Sequence, residues 1–280
     1  MSKAERLQPE ELIIRPSRGW VRVDIFALWK RRSLLYFLVW RDIKVRYKQT
    51  LLGAAWVILQ PFLIMLVFSI VFGFLAKVPS DGIPYPVFMF CALVPWQLVA
   101  NSFADAGNSL AANQNLITKV YFPRLIIPLA AVLARLVDFA FALLVLLGML
   151  FYYDLNLGNS LWALPFFVLL ALAIGLGVGL WLSSLGLRYR DVRQMIPFFT
   201  QLWFFSSPIA YSASLIPENW RAIYNINPMI GIIEGFRWAL LGKGNMTGQA
   251  LTLSVATVAL VLVTGLLYFR RVERTVADVV

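Results

Sequence analysis

Polar side chains that could bind or react are scarce in this chain, and they fall at helical spacings inside apolar runs. Arg135 and Asp138 stand three apart within the run 125–151, a spacing that puts both on one helix face, where they can pair and cancel charge. Trp56 and Gln60 are four apart, as are Gln97 and Asn101 beside Trp96, and Gln194 and Gln201 are seven apart. The last two sit in a stretch crowded with Phe198, Phe199, Trp203, Phe204, Phe205 and Tyr211. Amides in apolar surroundings must bond across helices or face water. One chemistry open to such a set is lining a path for a polyhydroxylated chain, since aromatic faces suit the C–H faces of sugar rings and amides suit their hydroxyl edges. Plain interhelical bonding plus an interfacial aromatic belt is the alternative. Arg135 and Asp138 likewise read equally as a functional charge pair or a buried structural one.

Other chemistry is excluded by absence. There is no histidine, so no imidazole acid, base or metal ligand. The single cysteine, Cys91, permits neither an intrachain disulfide nor a cysteine metal cluster, and its apolar neighbours mark it as a small buried hydrophobe. No metal site is expected. The nearest approach to a phosphate-binding loop, Gly242-Lys243-Gly244, lacks the required spacing and hydroxyl residue. ATP and Mg, if they power this chain, are bound by a separate subunit.

The elements that would position these residues follow from composition. Of 280 residues 60% are apolar and 14% charged, against about a quarter charged in ordinary globular chains. An all-α integral membrane protein is the expected class. Residues 1–23 carry no apolar core of a signal peptide. Six stretches approach the roughly 20 residues a span needs: 51–76, 86–104, 125–151, 161–187, 194–211 and 249–269. They make one transmembrane domain, 51–280, behind a cytoplasmic segment, 1–50. Within that segment 25–45 alternates apolar and aromatic clusters with basic ones, as an amphipathic helix at the membrane surface does. A further apolar stretch, 226–241, holds Pro228, Glu234 and Arg237 and is too short to cross. With the preceding element around Trp220 and Tyr224 it reads as a re-entrant helical hairpin over 215–241. Gly175, Gly177 and Gly179 offer small surfaces for close helix packing.

The formal net charge of +11 suggests nucleic acid at first sight. Sorted by this topology, 20 of the 25 Lys and Arg lie on the side of the N-terminus. By the positive-inside rule that side, with both termini, is cytoplasmic. The charge thus describes orientation and contact with anionic lipid; no nucleic-acid partner is expected. The connection 105–119, DAGNSLAANQNLITK, is a polar helix-compatible stretch on the same side, suited either to a docking partner or to no role at all.

Four ordered stretches resemble one family: LVWRDIKVRYKQTLLGAAWVILQP (38–61), NQNLITKVYFPRLIIP (113–128), LRYRDVRQMIPFFTQLWFFSSPIAY (187–211) and NINPMIGIIEGFRWALLG (225–242). Together they resemble the membrane subunit of type-2 ABC exporters for O-antigen, capsule and teichoic acid. The resemblance covers nearly the whole chain. It implies a permease in the bacterial inner membrane with six spans, an N-terminal interface helix and a re-entrant hairpin before the last span. It further implies a homodimer joined by two copies of a separate ATP-binding subunit, moving a lipid-linked polysaccharide. Carried onto this sequence, the coupling region is 105–119, with Asp105, Asn108, Asn113, Asn115 and Lys119. The translocation path draws on Trp56, Gln60, Phe62, Trp96, Gln97, Asn101, Phe198, Gln201, Trp203 and Phe205. The hairpin, with Trp220, Tyr224, Pro228, Glu234 and Arg237, forms the outer gate. Two rivals stand beside this reading: a type-2 exporter of drugs or small lipids, and a membrane enzyme acting on a lipid-linked substrate. The second lacks clustered carboxylates.

Overall fold

Long runs of Leu, Ile, Val and Phe satisfy their backbone groups only within helices when water is excluded, and helices are what these runs form. The computed structural model describes residues 29–48, 53–120, 122–158, 160–189, 191–244 and 247–273; the N-terminal segment 1–28, including the start of the expected interface helix, lies outside them. No strand occurs among the described residues. In chain order the helices are α1 (Arg32–Lys48), α2 (Gly53–Phe68), α3 (Tyr85–Ala112), α4 (Gln114–Lys119), α5 (Ile126–Tyr152), α6 (Leu164–Arg188), α7 (Asp191–Phe205), α8 (Glu218–Tyr224), α9 (Pro228–Leu241) and α10 (Gly248–Glu273). A π-helical turn, Ser69–Leu75, extends α2, and a 3₁₀ turn, Leu161–Ala163, leads into α6. Five of these helical segments are long and apolar enough to cross a membrane. They correspond to the expected spans one to four and six.

The expected fifth span, 194–211, is instead a 15-residue helix, α7, ending at Phe205. At 1.5 Å per residue it reaches only about 22 Å, short of a hydrocarbon core of roughly 30 Å. Its end has a local cause. The hydroxyls of Ser206 and Ser207 donate back to the carbonyls of Leu202 and Trp203, both at 2.8 Å, and Pro208 cannot continue the ladder. The helix that holds the expected second span continues beyond it. α3 runs on to Ala112, so the stretch 105–119 is not one helix but the last two turns of α3 followed by α4. The break falls at Asn113, whose amide donates to the Ser109 carbonyl at 2.8 Å.

α3 is the centre of the bundle. Every residue from Val87 to Val94 is buried, Cys91 among them, and α2, α5, α6, α7 and α9 all pack around it. α6 approaches it through glycine. A Cβ at Gly175 would lie 2.7 Å from that of Ser102, and one at Gly179 would lie 2.4 Å from that of Ala106. Gly177 faces the other way, onto α10, where a Cβ at Gly265 would meet the Gly177 carbonyl at 2.6 Å. The three glycines therefore serve two contacts rather than one face. α2 lies at the edge, with only 11% of its apolar window buried, against 83% for α3.

Candidate functional site

α7 leans on α3 without sealing against it, and a groove of about 460 Å³ remains between them. Polar side chains reach it from both helices: Asn101 and Asn108 from α3, Arg193, Thr200 and Gln201 from α7, beside the indole of Trp96. Spacing explains the α3 side, since Ala100, Asn101, Ala104 and Asn108 repeat at helical intervals. The hydroxyl of Thr200 donates to the Ile196 carbonyl at 2.8 Å, and the Asn108 amide to the Ala104 carbonyl at 2.9 Å. Asn101, Gln201 and Arg193 make no hydrogen bond or ion pair with any described residue. In a bundle of this composition, polar groups left open to a groove call for water or a polar ligand.

Three of the ten residues expected along a path thus border one groove: Trp96, Asn101 and Gln201. Trp203 is turned into the packing instead. Its ring stacks on Phe103 at 5.7 Å and meets Trp96 edge-on at 5.9 Å, and its indole N–H donates to Asn227 at 2.9 Å. Gln97 is half-buried on α3, outside the groove's lining. Trp56, Gln60, Phe198 and Phe205 are exposed on the outer faces of α2 and α7. Phe62, also exposed, borders a separate apolar cavity of about 680 Å³ with Met65, Ser69 and Tyr152.

Level with the groove but on another face of α3, where Asp105 follows Ala104, lies a cluster of four charges. Arg135 donates to both oxygens of Asp105, at 2.7 and 2.8 Å, and to Asp138 at 2.8 Å. Arg46 from α1 spans the same two carboxylates, at 2.8 Å to Asp105 and 2.9 Å to Asp138. Tyr47 donates its hydroxyl to Asp138. Burial first, and then this bond to a carboxylate, pushes the Tyr47 phenol above its ordinary range. The expected Arg135–Asp138 pair is present, then, as half of a neutral foursome that fastens α1 to α3 and α5. Asp105 turns inward to two guanidiniums, whereas Asn108, Asn115 and Lys119 are exposed and Asn113 is half-buried.

The segment 215–241 holds two helices, α8 and α9, joined by three residues. α9 is almost wholly enclosed by α3, α6 and α10. Inside it Arg237 meets Glu234 at 2.8 Å, with both side chains at most 2% exposed. The same guanidinium lies 3.6 Å over the ring of Phe88. Close approach is again bought with glycine, for a Cβ at Gly235 would strike the ring of Phe167. Asn227 caps α9, accepting from the Met229 N–H at 3.0 Å, and Pro228 follows at the first helical position. Its amide donates to the Ser206 carbonyl and the Ser207 hydroxyl at 3.0 and 3.2 Å, so one side chain ties α9 to the end of α7. Tyr224 donates to the Tyr211 hydroxyl at 2.9 Å, while Trp220 is exposed.

Sequence reasoning passed over Arg46, Tyr47, Arg193 and Asn227. For Asn227 a signal existed, because Asn directly before Pro at the head of an apolar run marks a helix start. The two arginines look in sequence like any other basic residue near a span.

Comparison with known proteins matches residues 33–241 to the family described as ABC-2 type transporter. An O-antigen export system permease protein RfbA of Klebsiella pneumoniae is 30% identical over 248 residues, covering 88% of this chain and 95% of the relative. A protein of the same description from Myxococcus xanthus is 29% identical, covering 84% and 90%. The polysialic acid transport protein KpsM of Escherichia coli is 24% identical, covering 83% and 91%.

Proposed function

The chain belongs to the ABC-2 type transporter family, and from that membership we propose that it is the permease of an ATP-driven exporter carrying a lipid-linked polysaccharide outward across the bacterial inner membrane. The observation that carries this reading is the α3–α7 groove. Its open amides, Asn101 and Gln201, stand beside Trp96, which is the mixture of polar edge and aromatic face that a sugar chain fits. The names of the relatives, exporters of O-antigen and polysialic acid, point the same way.

In this reading the permease works as a homodimer with two copies of a separate ATP-binding subunit. An exposed amide, Gln60, on the little-buried α2 supports pairing of two copies, since an amide facing lipid alone is unfavourable. The end of the bundle bearing α1, α4 and the four-charge cluster is cytoplasmic, and both termini lie there. The exposed side chains of Asn108, Asn115 and Lys119 form the surface on which the ATPase acts, while Asp105 passes the displacement on to α1 and α5 through its two arginines. α8 and α9 re-enter the membrane from outside as the outer gate. ATP on the partner drives the change because only a ligand with different affinities for the two states can shift them.

The test is genetic and chemical. Deleting the gene should abolish a surface polysaccharide and leave its lipid-linked form in the cytoplasmic leaflet, with restoration by the wild-type gene. Unchanged surface polysaccharide, with new sensitivity to drugs, would overturn the reading.

A further inference from the structure

The apolar cavity of about 680 Å³ lies between α2 and α5, at the end of the bundle away from α1 and α4. Phe62 and Leu66 of α2, with Ile70 and Phe74 of its π-helical extension, form one wall. Val145, Gly148 and Met149 of α5 form the other. Along α5 the cavity runs from Val145 to Tyr152, about 10 Å at helical rise, which fits within one half of a hydrocarbon core of roughly 30 Å. Apart from the shielded hydroxyl of Ser69, its polar groups are the phenols of Tyr152 and Tyr153 at its outer end. Neither phenol bonds to a described residue. Glycine weakens a helix interior relative to alanine, and elsewhere in this bundle its use is close packing: at Gly107, Gly175, Gly177, Gly179 and Gly265 a Cβ would come within 3.0 Å of a neighbouring helix. Gly148 is different. A Cβ there meets nothing within 4 Å, so this glycine keeps the cavity wall open without bringing any helix closer.

We infer that this cavity is a lipid site: it seats one acyl chain of a glycerophospholipid from the surrounding leaflet, with the ester region at Tyr152 and Tyr153. The site is independent of the export reading and of the α3–α7 groove. Its polarity is graded as a lipid is graded, with hydrocarbon walls below and tyrosines at headgroup level. Its long axis follows the helices, so a chain lying along the bilayer normal enters without displacing either wall. The volume is within the range of ligand cavities, and a π-helical wall is a frequent mark of a functional position. The seated chain has a structural consequence. α2 is little buried by the rest of the protein, and the acyl chain supplies the contact on its outer half that side chains do not.

The test places the full chain in nanodiscs of dimyristoyl phosphatidylcholine doped with a phosphatidylcholine that carries a photoreactive diazirine near the end of one acyl chain. After illumination, mass spectrometry maps the adducts. They should be enriched severalfold at Phe62, Leu66 and Val145 over Leu260 and Val263, which are exposed on α10. Gly148→Phe should abolish that enrichment and leave the α10 adducts unchanged, which reports an intact lipid-facing surface. Gly148→Ala, for which the structure leaves open space, should lower the enrichment severalfold with no loss of thermal midpoint, and it serves if the phenylalanine variant does not purify. Equal labelling of cavity and α10 in the wild type would overturn the inference. So would enrichment that survives in the purified variant, or protein–protein crosslinks at Phe62 and Leu66 in place of lipid adducts, which would assign the cavity to a second copy. None of these results touches the export reading, which gene deletion tests separately.

Discussion

Arg135 holds Asp105 with two parallel bonds, 2.7 and 2.8 Å long, across the gap between α5 and α3. Because Arg46 takes the second lone pair of one of those oxygens, the position of α1 is written into the same contact. A helix at the edge of the bundle is thereby tied to its centre by directional bonds and not by apolar contact alone.

Asp105→Asn should leave two guanidiniums facing one carboxylate. A loss of about 2–3 kcal/mol is expected from the charged hydrogen bonds removed, read as a lowered thermal unfolding midpoint of the detergent-purified protein. The exchange Asp105→Arg with Arg135→Asp should recover part of the loss of either single change. A double variant no better than the sum of its parts would argue against direct coupling.

Glu234→Gln should destabilise more than the pair Glu234→Gln with Arg237→Met. The single change strands a guanidinium that is 1% exposed, an effect of about 3–5 kcal/mol, whereas replacing both partners removes the charge with the need for it. Thermal unfolding of the three proteins orders them.

Gly179→Ala places a methyl group 2.4 Å from that of Ala106 and should cost about 1–3 kcal/mol through forced separation of α6 from α3. Ala106→Gly in the same protein makes room and should restore most of the midpoint. Failure of the rescue would mean that the strain lies elsewhere on α6.

Asn227→Ala removes the cap of α9 and the bonds to Trp203, Ser206 and Ser207 together. Protease cleavage between residues 206 and 228 should accelerate at least severalfold. Asn227→Asp keeps both accepting bonds and should fall between the two.

The spans were legible because length and hydropathy need no knowledge of neighbours: the runs around 55–75 and 126–152 can be little else. The Arg135–Asp138 pair was legible for a similar reason, since three-residue spacing is a property of one helix. What spacing cannot convey is the arrival of Arg46 and Asp105, from positions 92 residues before Asp138 and 30 before Arg135. Tertiary packing brings them in. The end of α7 was misplaced because Ser206 and Ser207 sit in an unbroken apolar run, and their bonds back onto the helix are not visible as hydropathy. The extension of α3 to Ala112 was missed for the converse reason: its last turns are polar, so hydropathy ended the span while the backbone ladder continued.

The glycines of α6 bear on how this bundle can move. With Gly175 and Gly179 set against Ser102 and Ala106 on one side, and Gly177 against Gly265 on the other, α6 is keyed like a shaft between two bearings. Sliding along its axis by even one residue would drive side chains into backbone on both sides at once. Helices α3, α6 and α10 are thereby keyed to one another, whereas α2 and α7 are the lightly seated pieces. Those are the two helices that carry the exposed residues of the expected path, Trp56, Gln60, Phe62, Phe198, Gln201 and Phe205.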